Sequence, residues 1–249
     1  MERRLTSVRW IAARIGAGCL LGTACLAGTS IAASGTSAAA APAANACVNH
    51  HTNTMSYDAQ GPIFWGTKGY IYINTADTLS GLNNAIWRTF LVYDGSQTQN
   101  VEFGWTDNNG GHSSPTPGSD YMVGSMTQPP SFWPSFTLDY NSNVRFRIEN
   151  LGNQGVFRYV IDGQSSPIAY SPTMNFNQGF AVTNSEHYNS CDSMWTDMFS
   201  LSHQYAINPG WSDWANITCW VNTSQNDWYL HKVSSTEVQV NQNSSGALC

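Results

Sequence analysis

From Val144 the chain reads Val-Arg-Phe-Arg-Ile-Glu, an alternation that sends Val144, Phe146 and Ile148 to one face of a strand and Arg145, Arg147 and Glu149 to the other. Gly152-Asn153-Gln154-Gly155 follows as turn chemistry. Val156 to Ile161 then runs extended into Asp162-Gly163, a dipeptide suited to a type I′ hairpin turn. Similar short runs recur at Tyr70 to Ile73, Ile86 to Tyr93, Val101 to Trp105, Phe136 to Tyr140, Phe180 to Thr183, Met198 to Tyr205, Trp214 to Val221, Trp228 to Val233 and Glu237 to Val240. They predict about eleven strands. No window carries an apolar stripe at helical spacing, and Pro115-Thr116-Pro117-Gly118 and Pro129-Pro130 interrupt the chain. Without crossover helices a sheet must be antiparallel. The pattern therefore predicts an all-β, antiparallel two-sheet β-sandwich of jelly-roll or concanavalin-like form, with a closed barrel as the alternative.

The first 46 residues break that pattern. Arg3, Arg4, Arg9 and Arg14 precede an uncharged run from Ile15 to Ala33, and Ala44-Asn45-Ala46 ends a stretch of small residues. This reads as an export signal of bacterial type with an A-x-A cleavage site, followed by a single domain over 47–249. The expected location is extracellular, with no membrane attachment after cleavage and a monomeric product.

Composition changes the picture in two ways. Without the leader, six basic residues face fifteen acidic ones, a formal charge of −9, which repels nucleic acid. Nine of the ten tryptophans also lie beyond the leader, the balance of a secreted β protein and not of a disordered one. Cys47, Cys191, Cys219 and Cys249 remain, an even number that reads as two disulfides. Pairing Cys47 with Cys249 would tie the ends together, and Cys191 with Cys219 would brace the hairpin between them. No C-x-x-C pair supports a zinc site, and no cofactor or metal is expected.

Two groups of residues are candidates for function. In Asn100-Val101-Glu102-Phe103-Gly104-Trp105, the apolar residues can face the core while Glu102 is displayed on the opposite face. Glu186 lies in Val182-Thr183-Asn184-Ser185-Glu186-His187, and two carboxyls on neighbouring strands of one face can divide acid and base duties in hydrolysis. The second group is aromatic. Trp133, Trp211, Asp213, Trp214 and Trp228 sit beside loop residues, where indole faces can bury sugar C–H surface and a carboxylate can accept from hydroxyls. Trp87, Trp105 and Trp220 are expected in the core.

The succession Trp87 to Gly95, then Val101-Glu102-Phe103-Gly104-Trp105, then an aromatic-rich loop, resembles secreted β-sandwich proteins around the eqolisin and neprosin-type glutamic peptidases. The resemblance implies a sandwich fold over roughly Trp65 to Tyr205. In the eqolisin pattern a glutamine stands at the place of Glu102 and a glutamate on a later strand, where Glu186 is the candidate. The surroundings of Glu186 depart from that pattern, since Asn184, Ser185 and His187 replace aliphatic and tryptophan neighbours. The E-x-D-x-x-E strand of laminarinase-like glycosidases is absent. The residues thus favour binding of an extracellular polysaccharide, with a glutamic-type endopeptidase using Glu102 and Glu186, or a surface protein binding another polypeptide, as alternatives.

Overall fold

A computed structural model describes residues 49–74, 86–107, 115–124, 126–128, 131–133, 135–136, 138–152, 154–189, 195–205, 210–222 and 228–242, all within one compact unit. The leader and Cys47, Cys191 and Cys249 lie outside the described residues. Cys219 is disulfide-bonded.

Every regular element among the described residues is a β-strand, and every pairing is antiparallel. The front layer contains β1 (Asn49–Asp58), β3 (Ile86–Asp94), β4 (Gln99–Asp107), β5 (Thr116–Val123), β11 (Gly179–Asn189) and β14 (Ile217–Asn222). Its order is β14-β1-β11-β3-β4-β5, and the two-residue strands β6 (Met126–Thr127) and β7 (Ser131–Phe132) pair with β5. The back layer contains β2 (Phe64–Ile73), β8 (Ser142–Asn150), β9 (Phe157–Ile161), β10 (Ala169–Tyr170), β12 (Trp195–Tyr205), β13 (Trp211–Asp213), β15 (Trp228–Ser234) and β16 (Glu237–Gln242). Its order is β10-β9-β8-β2-β12-β16-β15, with β13 on β12. This is the jelly-roll-like sandwich that the alternation predicts.

Among the described residues the layers join as one continuous sheet only at Gly179, opposite Phe64. A Cβ on Gly179 would stand 2.0 Å from the Tyr93 carbonyl oxygen, so only glycine lets the strands converge there. Between the layers, Phe90, Val92, Val101, Phe103, Trp105 and Ala181 from the front meet Ile71, Ile73, Phe146, Ile148 and Tyr159 from the back. Phe103 is the centre of this core, stacked on Tyr159 and edge-on to Phe146. Phe146 and Ile148 are fully buried, as their alternation requires. Near the join, Asp58 and His203 are both fully buried and share a hydrogen bond of 2.7 Å, under a Phe64 ring stacked on the imidazole.

Three local expectations differ. Over Phe136 to Tyr140 the described residues, 136 and 138–140, are not in a strand; the Phe136 N–H donates to the Trp133 carbonyl and Asn141 takes a positive φ of 58°. Conversely, Pro115 to Gly118 does not end regular structure, since Thr116–Val123 is a strand. Pro117 is tolerated there because its carbonyl still accepts from the Trp133 N–H, while its missing N–H falls beside the sheet's edge. At Asp162-Gly163 only the glycine has a positive φ, 91°, and Gln164 N–H closes on Ile161. That is a type II turn, since type I′ needs both central residues in that region.

Candidate active site

Along β4 the side chains alternate as predicted, with Val101, Phe103 and Trp105 toward the core and Glu102 on the outer face of the front layer. Register places Asp120 of β5 directly beside Glu102. On the other side, Leu91 of β3 and then Val182 of β11 continue the same row. One row over, Thr89 pairs with Asn184 and with Gly104. A further row brings Trp87 against Glu186. A Cβ on Gly104 would lie 2.0 Å from the Arg88 carbonyl oxygen, so this glycine allows β3 and β4 to close up next to the carboxyl group.

Hydrogen bonds join these residues into one cluster. Thr89 Oγ1 donates to Glu102 Oε1, and Asn184 Nδ2 donates to the same oxygen at 3.0 Å. The Asn184 amide also donates to Glu186 Oε1 at 2.8 Å, so one nitrogen bridges the two glutamates. Asp120 hydrogen-bonds Glu102 from the opposite side. Asn184 is 1% exposed, and its Oδ1 has no partner among the described residues.

The electrostatics follow from burial. Glu102 is 6% exposed, and loss of solvent raises its pKa well above the ordinary carboxylate value, with the neighbouring charges of Asp120 and Glu186 adding to the rise. Asp120 is pushed up to about 7, first by burial, with the charge of Glu186 also raising it and the hydrogen bond to Glu102 opposing the rise. Two adjacent carboxyls that both resist ionisation share a proton, so a neutral acid persists here into the neutral range. Tyr93, at the lower end of the same face, is raised to about 12 by burial and by Asp94, Glu102 and Glu186.

Aromatic and apolar side chains flank the carboxyls. Above, Trp87 packs against Phe132 at 5.4 Å, and Gly118 leaves room for both rings. Below, Tyr93 donates weakly to Met122 sulfur, and Phe180 meets Tyr57 edge-on at 5.8 Å. An extended chain crossing this face therefore meets polar groups in the middle and apolar ones at both ends. Among the described residues no three side chains of metal-ligating type are arranged to hold an ion.

The aromatic candidates lie elsewhere. Trp214 is 1% exposed, a member of the core, with its backbone N–H donated to the Leu201 carbonyl. β13 is only three residues long, and the chain turns inward at its end, which takes Trp214 off the surface where its sequence neighbours place it. Trp211 is half-buried, with the Lys68 ammonium 4.3 Å above its ring, and exposed Asp213 accepts from Ser202. Trp133 packs its ring edge-on to Phe103. Trp105 is in the core as expected, whereas Trp87, though buried, stands on the carboxyl face. The side chains of Trp220, Trp228 and His187 lie outside the described residues.

Asp120, Asn184 and Thr89 are the members that the sequence reading missed. Asn184 was within reach, because two residues along a strand return to the same face and Asn184 stands two before Glu186. Asp120 was hidden by the two prolines that made its strand read as a loop.

Comparison with solved structures gives the fold a relative. The chain is similar to a Scytalido-glutamic peptidase solved with a peptide-based transition state analogue, with a TM-score of 0.51 and 11% identity over 79% of this chain and 99% of that one. It is also similar to SCP-B, a member of the eqolisin family of peptidases solved with the tripeptide Ala-Ile-His, with a TM-score of 0.46, 11% identity and coverage of 79% and 99%. Chicken galectin 2 matches with a TM-score of 0.39, 12% identity and coverage of 60% and 98%. At these identities the first likeness is one of fold, and the other two carry no argument. No protein-family model and no curated protein matches the chain.

Proposed function

We propose that the chain is exported, sheds its first 46 residues and hydrolyses peptide bonds of extracellular polypeptides in acid solution. The observation that supports this reading is the gathering of Glu102, Asp120 and Glu186 on one sheet face, with Asn184 bridging the two glutamates. Glu186, as carboxylate, takes a proton from water while the water oxygen attacks the carbonyl carbon. Neutral Glu102 donates its hydroxyl hydrogen toward the carbonyl oxygen as negative charge grows there. The proton held by Glu186 then passes to the leaving nitrogen as the C–N bond breaks.

Asp120 has a supporting part. Burial keeps Glu102 protonated in acid, and the Asp120 charge adds to this as it forms toward neutral pH. A neutral carboxyl group has the shape of a carboxamide and donates a hydrogen bond in the same direction. Glu102 thus fills the role of the glutamine in the eqolisin pattern, provided the solution is acid enough. A fold like that of a glutamic peptidase is in keeping with this assignment.

A polysaccharide platform built on Trp211 and Trp214 has no support, since Trp214 is enclosed in the core. The mature form in this proposal is one domain, 47–249, braced by Cys47–Cys249 and Cys191–Cys219. The test is digestion of an unfolded protein substrate from pH 3 to pH 8, followed by mass spectrometry. Cleavage is expected in the acid range and fades as pH rises through about 7, the Asp120 value. A folded protein that cleaves nothing across this range, or a Glu186→Gln variant as active as the parent, would overturn the proposal.

A further inference from the structure

On the other layer, β8 and the turn after β9 line a half-open cavity of about 410 Å³, within the range of small-ligand sites. Phe136, Leu138, Val144 and Ile161 supply apolar wall. Asp139, Asn143, Arg145, Asp162 and Gln164 supply planar polar groups around it. Phe136, Leu138 and Asp139, expected within a strand, are not in one and line the cavity.

Charge decides what could bind. Among the described lining residues Arg145 is the one cation; it is held by Asp162 at 3.2 Å, which Arg147 also approaches at 3.7 Å, while the Arg145 guanidinium lies 4.3 Å over the Tyr70 ring. Asp139 adds a second carboxylate. The cavity has no surplus positive charge, so an anionic ligand gains nothing there and meets two acids. The mixture instead suits a neutral polyol. Carboxylates and amide oxygens accept from hydroxyls, the guanidinium and amide nitrogens donate to them, and apolar walls cover C–H faces.

We infer that this cavity binds a short stretch of a neutral saccharide, independently of any hydrolysis on the front layer. Sugar binding would then reside at a site where none of the tryptophans singled out in the sequence takes part.

The experiment is calorimetric titration of the mature protein with cellohexaose, laminarihexaose, xylohexaose and chitohexaose, with oligogalacturonate as the anionic probe and an uncharged hexapeptide as the peptide probe. At least one neutral hexasaccharide is expected to bind, with neither the oligogalacturonate nor the peptide matching it. Asp162→Asn and Gln164→Ala should each weaken that binding by about tenfold, the scale of one hydrogen bond to a charged or buried partner. Both variants should unfold at the parental temperature and leave peptide hydrolysis unaltered. If Asp162→Asn perturbs folding, backbone amide shifts of Gly163 and Gln164 in the parent protein during titration provide the second reading, and they should move. The inference is overturned if no neutral hexasaccharide binds, if the acidic oligosaccharide or the peptide binds as well, or if binding survives both substitutions with these amides unmoved.

Discussion

The two outer faces of this sandwich handle charge in opposite ways. On the front layer, three carboxyls crowd together with no cation in the cluster among the described residues, and Glu102 is nearly closed off from water. On the back layer, Arg147 and Arg158 share Glu149, while Arg145 and Arg147 share Asp162. Glu149 is 4% exposed, as deeply covered as Glu102, yet it is compensated by two guanidinium groups. A buried acid with paired cations is structural chemistry, since leaving it unpaired would cost several kcal/mol. A buried acid surrounded by other acids stays in place only by remaining neutral, and a neutral acid is a proton donor. The contrast teaches where to look for chemistry in this molecule, because burial alone does not distinguish the two glutamates.

The largest effect should come from the front face. Glu186→Gln is expected to lower peptide hydrolysis at acid pH by about 10³-fold, the loss of a general base. Glu102→Leu should cost about 10²-fold, whereas Glu102→Gln, which keeps a donor of the same shape, should cost under about tenfold. Equal losses for Gln and Leu at 102, in initial rates on a peptide substrate, would mean that Glu102 works as an ion and that the contrast between the faces is mistaken.

Next in size is a packing change that touches neither face. Trp214→Ala should destabilise the fold by about 3–5 kcal/mol, read from urea unfolding, because the indole is enclosed. A loss below about 1 kcal/mol would return Trp214 to the surface and reopen a binding role for it.

The pH dependence of stability separates the faces directly. Glu102 and Asp120 have pKa values raised by folding, so their contribution is complete below the ordinary carboxylate range and is lost as pH climbs through about 7. The melting temperature should therefore fall by several degrees from pH 5 to pH 8. The double variant Glu102→Gln with Asp120→Asn should flatten that fall, and a fall of unchanged size would place its origin elsewhere. Smallest of all is Arg145→Gln on the back face, where a solvated pair with Asp162 and a contact with Tyr70 should together contribute about 1 kcal/mol or less.

Residue alternation alone was sufficient to identify strands such as Val144–Glu149 and to put Phe103 and Glu102 on opposite faces. The same logic applied to Asn184 and Glu186 would have paired them in advance. It failed where the backbone departs from the two-residue period: at Trp214, just past the end of a short strand, and at Phe136–Tyr140, whose described residues are not in a strand. It also passed over Asp120, because proline was taken as a break when an edge strand can accept it.

What the amino-acid order by itself determined is the layered all-β form, since each strand carries its own division into apolar and polar sides. Which carboxyls meet was decided by tertiary structure, through strand order and register that bring residues 102, 120 and 186 onto one face. The same holds for their protonation, because a pKa is set by surrounding solvent and charge, and those neighbours are remote along the chain. Sequence names the ionisable groups, and only the folded arrangement decides which of them keep their protons.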